Sequence, residues 1–458
     1  MKKQLPIVTA YTRKGKILVR GLRSLLRILD IFKGKKWAAP PQYFHDDPRH
    51  YSKKDLLFFA YKYYFKSPVL DDADGKVIAF FQANPPIFEG KILENASEVT
   101  ITAAGDLMPY EWIQSKYCQH LWDDIGDDFF SSDITFANLE TPVDISQPPA
   151  LVPEVMLNDM HFNADEKMFD IFNATPQYRG FDVLSTANNH SLDMGENGVH
   201  ATIDFLEYRG IQVTGTAFSE TERLNFPIIE KNGIRIAFVA YTFSMNQIVN
   251  PEGKNYLVNH LEVNQPNVDL TPLKNDILHA KNVLKADFVV LSLHFGNAYQ
   301  AYPGMHIVEN AQRIFTECGP DIILGGHPHN IQPMARFDFD CPISKQKKAG
   351  FVLFSFSDFV AYDIFNECHL SVYLKIKVKK TENTEGDKVE IAEITPVPVY
   401  ACGVYFNENH RELRLLDAEK TLKLIEKGEK PSFMTDWNVQ ELTGLMAFYR
   451  NYFAKNLP

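Results

Sequence analysis

The sequence predicts an α/β fold with a mixed sheet, and three observations carry that prediction. Short aliphatic and β-branched runs alternate with amphipathic helical stretches through the middle of the chain. Hairpin signals come later in the chain, so the sheet need not be purely parallel. Polar clusters sit at the C-terminal ends of the candidate strands, where open α/β sheets place their chemistry.

The elements can be taken in chain order. "RKGKILVRGLRSLLRILDIFKGKKW" (Arg13 to Trp37) is rich in Lys and Arg and holds one acid, Asp30. Leu18, Leu22, Leu25, Leu26, Leu29 and Phe32 recur at three- and four-residue spacings, which predicts a helix with one apolar and one basic face. Such a helix either packs its stripe on the main domain or lies on an anionic membrane surface. Residues 38 to 98 are aromatic and loop-rich around a short helix, "KKDLLFFAYKYYF", and read as an extension wrapped over the main domain.

Regular strands begin at "VTITAAGD" (Val99 to Asp106), followed by "DITFANLE" (Asp133 to Glu140) and "FDVLSTANNH" (Phe181 to His190). "GENGVHATIDFLEYRG" then predicts a helix with Val199, Ile203 and Leu206 on one face and Gly210 at its C-terminal cap. "FPIIEKNGIRIAFVAY" is a hairpin turning at Asn232-Gly233. "DFVVLSLHFG" (Asp287 to Gly296) is a buried strand, and the helix "HIVENAQRIFTECG" leads into the strand "DIILGG". Strands "FVLFSFSDF" and "HLSVYLKIKVKK" come next, the second pairing with "KVEIAEITPVPVY" across a polar linker. From about residue 405 the composition turns helical. The chain is therefore expected to divide into a basic amphipathic helix (1–36), an aromatic, loop-rich extension (37–98), the domain with the polar clusters (99–404) and a helical C-terminal extension (405–458).

Bulk properties narrow the function. A chain of 458 residues, 45% hydrophobic and 13% aromatic, can build a sizeable core. A net charge of −11 disfavours nucleic acid as a partner, because phosphate neutralisation needs a basic surface. Five widely spaced cysteines with no CxxC pair suit free buried thiols better than a disulfide framework. No apolar run is long enough to span a bilayer and no signal peptide is visible, so the expected location is cytoplasmic or peripheral on a membrane.

The clusters at the strand ends hold the chemistry. Asp106 ends the first strand, Glu140 the second, and Asn189 with His190 the third. His294 ends "VVLSLH", and His327 with His329 end "IILGGHPH". Each alone has a plain structural reading, as a turn, a helix cap or a satisfied core polar group. Jointly they form a mixed oxygen and imidazole set suited to Mn, Fe or Zn, not to calcium or a thiolate zinc site. G-x-S-x-G and phosphate-loop motifs are absent from the sequence.

"GDLM", "NLE", "ANNHSLDMG", "SLHFG" and "GGHPHNIQP" stand in the order and spacing of CapA-type, PgsA-like proteins of poly-γ-glutamate capsule biosynthesis, which this chain resembles over about residues 99 to 360. That family is a branch of the calcineurin-like metallophosphoesterase superfamily. The resemblance implies a four-layer α/β/β/α sandwich with one or two divalent metals at the strand ends. It implies that Asp106 and His329 hold the first metal, that Asn189, His294 and His327 hold the second, and that Glu140 bridges them. His190 would be the general acid, while Asn188, Asp193 and Gly195 would shape its loop.

Two departures bear on the site. Met108 stands where the superfamily at large has His, and a thioether is a poor ligand for a hard dication. "FSFSDFV" (Phe354 to Val360) replaces a sequence nearer Ser-Leu-Gly-Asn-Phe, and Asn297 stands where an acid is common. The function expected is hydrolysis of a phosphoester, or of a γ-glutamyl amide, by metal-activated water. The alternative is a non-hydrolytic component of capsular polymer synthesis or export at the membrane. Either way the partner is a small-molecule or polymer substrate, with membrane-surface contact open through residues 13–37.

Overall fold

Continuous apolar runs bounded by Gly, Asp and Asn are what parallel strands buried on both faces require, and they fold as such. The computed structural model describes residues 7–38, 45–67, 75–88, 96–156, 160–381, 387–407 and 410–454. Parts of the 37–98 extension (39–44, 68–74 and 89–95) and of the polar linker (382–386) lie outside the described residues. Ahead of the sheets come three helices, α1 (Arg13–Lys33), α2 (Lys53–Tyr64) and α3 (Lys76–Ala83).

The strands begin with β1 (Ser97–Leu107), β2 (Ile134–Leu139), β3 (Val183–Ser185) and β4 (Gln212–Thr214). Next come β5 (Ile228–Lys231), β6 (Ile234–Thr242), β7 (Phe288–His294), β8 (Ile322–Gly326), β9 (Gln332–Asp340) and β10 (Lys347–Ser355). The last four are β11 (Asp358–Val360), β12 (Leu370–Thr381), β13 (Lys388–Asn407) and β14 (His410–Asp417).

They form two mixed sheets. The first has the order β14-β13-β12-β1-β2-β3-β4, with β11 also pairing the end of β1. The second runs β5-β6-β7-β8-β10-β9. In the first, β1 to β4 are parallel; in the second, β6, β7, β8 and β10 are parallel between antiparallel edges. The β5–β6 hairpin turns on Asn232 (φ 51°) and Gly233 (φ 73°), two consecutive left-handed residues as a tight hairpin demands.

The layers are set by which faces are apolar. Ile101, Ile134, Phe136 and Val183 of the first sheet pack on Phe238, Val290, Leu324 and Leu353 of the second. Phe136 and Phe238 stack across this interface at 5.5 Å. The outer face of the first sheet takes the helices Glu166–Phe172 and Gly195–Tyr208 through Phe169 and Phe205. That of the second takes α3 and the helices Thr271–Asn282 and Met305–Cys318, through Phe81, Ile277 and Ile314. The result is the expected four-layer α/β/β/α sandwich. All five cysteines are free and buried.

Two expectations need correction. The chain does not turn helical at about residue 405: β13 continues to Asn407 and His410–Asp417 is the edge strand β14, with helix starting only at Ala418. Leu, Arg and Glu favour helix locally, but Arg411, Leu413 and Leu415 alternate inward along a strand, and β-pairing overrides propensity. In α1, Leu26 is buried and Leu18, Leu22 and Leu29 half-buried as expected, but Leu25 and Phe32 are exposed. The helix is apolar on two sides, and only one of them packs.

Candidate metal centre

The parallel strands of both sheets end at the same edge of the sandwich, which brings residues separated by more than 200 positions into contact. Asp106, one residue from the end of β1, is fully buried. Its Oδ1 accepts from Asn138 Nδ2 at 2.7 Å and its Oδ2 from the backbone N–H of His327 at 3.2 Å. Glu140 comes directly after β2, equally buried, with Oε1 3.4 Å from His294 Nε2. His294 closes β7, and its Nε2 lies 2.8 Å from Asn189 Oδ1.

His327 and His329 come after β8 at φ 94° and 58°, a conformation that non-glycine residues adopt only under local constraint. The paired glycines before them have separate reasons. A side chain on Gly325 would strike the carbonyl of Phe354 at 2.2 Å, whereas one on Gly326 would meet Asp106 Oδ1 at 2.9 Å.

These contacts bring together Asp106, Glu140, Asn189, His294, His327 and His329, all the residues that the strand ends nominate except His190. Three triads each have donor atoms within 4.8 Å of one another: Asp106, Glu140 and His294; Glu140, His327 and His329; and Asp106, His329 and Asp358. Asn189 joins through His294. Donor atoms about 2.0–2.2 Å from a shared ion sit roughly 3 Å apart, as the 2.8 Å and 3.4 Å separations do here.

A divalent cation fits this set for a specific reason. Both oxygens of Glu140, Nδ1 of His327 and Oδ2 of Asp358 are buried without a hydrogen-bond partner among the described residues. Burying such groups unpaired is costly, and positive charge placed among these triads would offset that cost. For Asp106, His294 and His327 electrostatics point the same way, and His329 is the exception. Burial, with the Glu140 carboxylate beside it, pushes Asp106 up to about 7, and burial brings His294 down to about 3, leaving its lone pair free. Burial likewise lowers His327 to about 4. Burial alone would lower His329 too, but the Asp358 carboxylate against it raises it to about 10.

His190 stands on the adjoining loop. Its Nδ1 donates to Asp193 Oδ2 at 2.7 Å, and the Phe162 ring stacks on it at 3.9 Å. Asp193 also accepts from the backbone N–H of Phe162, and Asn188 ties the loop to β2 through Leu139 O at 2.7 Å. Gly195 takes φ 67° where the loop enters the helix Gly195–Tyr208. Met108 is buried in the core cluster around Leu107 and Trp112, and Asn297 is buried with neither end of its amide hydrogen-bonded among the described residues.

Two carboxylates escaped the sequence reading. Asp358 lies in the departing stretch "FSFSDFV" and pairs with His329 Nδ1 at 2.8 Å. Asp46 arrives from the N-terminal extension, with Oδ2 3.4 Å from His327 Nε2. It is fixed by Tyr51 Oη at 2.6 Å, by the backbone N–H of Ala298 and by the buried Lys62 at 3.6 Å. Each of His190, His327 and His329 therefore has one ring nitrogen against a buried carboxylate, an arrangement that sets tautomer and ring orientation.

The bacterial capsule synthesis protein PGA_cap family matches residues 100–363. The chain belongs to that family. The matched stretch includes Asp106, Glu140, Asn189, His190, His294, His327, His329 and Asp358 but leaves Asp46 outside. A PGA biosynthesis protein CapA of Bacillus subtilis (strain 168) is 24% identical over 306 residues, 64% of this chain and 72% of that one. A capsule biosynthesis protein CapA of Bacillus anthracis is 26% identical over 276 residues, 57% of this chain and 60% of the relative. Among solved structures, the calcineurin-like phosphoesterase YfkN from Bacillus subtilis aligns with 78% of this chain and 98% of its own, at 13% identity and a TM-score of 0.33.

Proposed function

We propose that this capsule synthesis family member is a metal-dependent hydrolase of a phosphoester, with a γ-glutamyl amide as the other bond its site would suit. The observation that carries the reading is the pair of unpartnered Glu140 oxygens beside His327 Nδ1, next to an imidazole already oriented by a carboxylate. Asp106, Glu140, Asn189, His294, His327 and His329 would hold one or two ions of Mn, Fe or Zn. When bound, such an ion supplies Lewis-acid polarisation and lowers the pKa of water.

The rest falls to the chain. Asp193 accepts from Nδ1 of His190, so Nε2 is the nitrogen left to face a substrate. With the ring doubly protonated beside that carboxylate, Nε2–H hands its proton to the leaving oxygen or nitrogen and the ring returns to the neutral Nδ1–H form. Asn188 and Gly195 keep that loop in register with β2. Asn138 and the His327 N–H orient Asp106, and the buried surroundings exclude bulk water from the charged groups.

Purified protein should carry one to two equivalents of Mn, Fe or Zn by elemental analysis. Protein that stays metal-free after Mn addition would refute the reading. In a screen of phosphoesters and γ-glutamyl peptides, His190→Ala should abolish turnover while metal content stays intact; equal activity removes His190 from the role. A second reading, a non-hydrolytic component of capsular polymer synthesis or export, is favoured by the burial of every candidate ligand. Full metal loading with no turnover in that screen would select it.

A further inference from the structure

The helix α1 presents an apolar stripe away from the protein. Val19 and Leu26 are buried against the body, and Gly15 passes so close to Glu154 that a side chain there would strike the carboxylate. On the opposite side Ile17, Leu25, Ile28, Ile31 and Phe32 are exposed, Ile31 and Phe32 by 78% each. With Gly21 and Ser24 they recur every three to four residues, so they line one face of the helix.

The opposite face anchors the helix. Arg23 Nε donates to Tyr64 O of α2 at 2.8 Å. Asp30, the one acid of α1, is drawn inward by the Tyr61 hydroxyl and by Lys66 at 3.8 Å. One flank of the stripe is therefore basic: Arg13, Lys16, Arg20 and Arg27 lie along it, and the exposed Lys14 stands at the N-terminal end of the stripe itself. The surrounding surface continues the pattern. A 590 Å³ groove beside α1 is lined by Lys16, Arg20 and Arg23 together with Tyr11, Tyr405 and Trp437. Tyr405 and Trp437 are about two-fifths exposed, and Leu56 and Leu57 of the adjoining α2 are also exposed.

We propose that the outer face of α1 docks on an anionic lipid bilayer, lying in the plane of its surface. Among the described residues no helix is long and apolar enough to cross a membrane. A helix with an apolar stripe beside a basic flank instead buries the stripe at the headgroup boundary while the flank meets lipid phosphates. Tyr and Trp beside it suit the same depth. Charge chooses the occupant: the whole chain carries −11, yet the Lys and Arg of α1 face a single acid, so its basicity is local. None of these residues belongs to the metal centre, so membrane docking and hydrolysis can fail or hold separately.

Co-flotation of the full chain with phosphatidylcholine vesicles, with and without phosphatidylglycerol, tests it. Binding is expected only to vesicles containing phosphatidylglycerol and should weaken with added salt. Joint replacement Lys14→Gln, Arg20→Gln and Arg27→Gln should weaken binding about a hundredfold, roughly fivefold for each charge. Ile28→Glu with Phe32→Glu should abolish it without changing circular dichroism or Tm, because both side chains are exposed. Equal binding to neutral vesicles, or wild-type binding by the double glutamate variant, overturns the proposal. So does a wild-type protein that ignores vesicles but forms a dimer that Phe32→Glu dissociates.

Discussion

Two buried clusters in this molecule use the same parts to opposite ends. Around Glu441 every polar atom is answered: Oε1 accepts from Asn366 Nδ2 at 2.6 Å and His369 Nδ1 at 2.9 Å, and Oε2 accepts from Tyr400 Oη at 2.5 Å. The other nitrogen of His369 donates to Asp363 O at 2.6 Å. Around Glu140 neither oxygen has a donor among the described residues, although the imidazoles of His294, His327 and His329 and the carboxylate of Asp106 crowd it. A buried carboxylate and imidazole do not by themselves mark a functional site. What separates the two is whether the cluster closes on itself or leaves lone pairs turned toward a common point.

The largest contrast should appear on exchanging each glutamate for its amide. Glu140→Gln should weaken binding of Mn or Zn by more than the roughly hundredfold that loss of a partner behind a ligand costs, because Glu140 is placed as a ligand itself. The metal-free protein should keep its stability, because the charge removed had no donor to lose. Glu441→Gln should do the reverse, costing about 3 kcal/mol by stranding the donors around it and leaving metal affinity unchanged. Calorimetric titration and urea unfolding of both variants measure the four quantities. If Glu441→Gln sheds metal, or Glu140→Gln destabilises the metal-free protein equally, the distinction between closed and open clusters fails.

The next effect is smaller and concerns the carboxylates behind the imidazoles. Asp46→Asn and Asp358→Asn should each reduce metal affinity about 10–100-fold without changing stoichiometry. Asp46 is the sharper case, because it lies outside the family's matched stretch and arrives on a segment held by Tyr51, Lys62 and Ala298. Unchanged affinity in both variants would reduce these contacts to packing.

Why was Asp46 invisible in the sequence when Asp106 was not? Asp106, Glu140, Asn189, His294 and His327 each come after an apolar run, so strand periodicity alone aims them at one edge of a sheet. "HDDPRHY" follows no strand and lies well ahead of β1, and nothing local says where such a loop will land. Asp358 was visible only as an oddity in "FSFSDFV", since its role depends on β11 pairing beside Asp106. The strands that carry the site were legible because their runs are apolar almost throughout. The four layers came only with the family resemblance, since periodicity does not say which strands become neighbours. The edge strand β14 was not legible, because Arg, Glu and Leu satisfy helix and half-exposed strand alike. Leu25 and Phe32 were misassigned because a helix apolar on two sides has a single periodicity and cannot announce which side packs.

The smallest effect tests the closed cluster by pH. Burial would lower His369, but the hydrogen-bonded Glu441 carboxylate and Asp363 carbonyl raise it above the ordinary histidine value. A histidine whose folded pKa lies above its unfolded value contributes stability that is complete below about pH 6.5. That contribution is lost as pH rises through the folded value. Wild-type protein should therefore lose stability between about pH 6 and about pH 8, by up to about 1.4 kcal/mol for each pK unit of elevation. Glu441→Gln removes the carboxylate that holds the proton, so its stability should fall less over the same interval. Urea midpoints for both proteins at the two pH values give the difference directly, and cancel titrations elsewhere that the two share. Parallel pH dependence would mean that His369 is held neutral, with Glu441 fixed by Asn366 and Tyr400 alone.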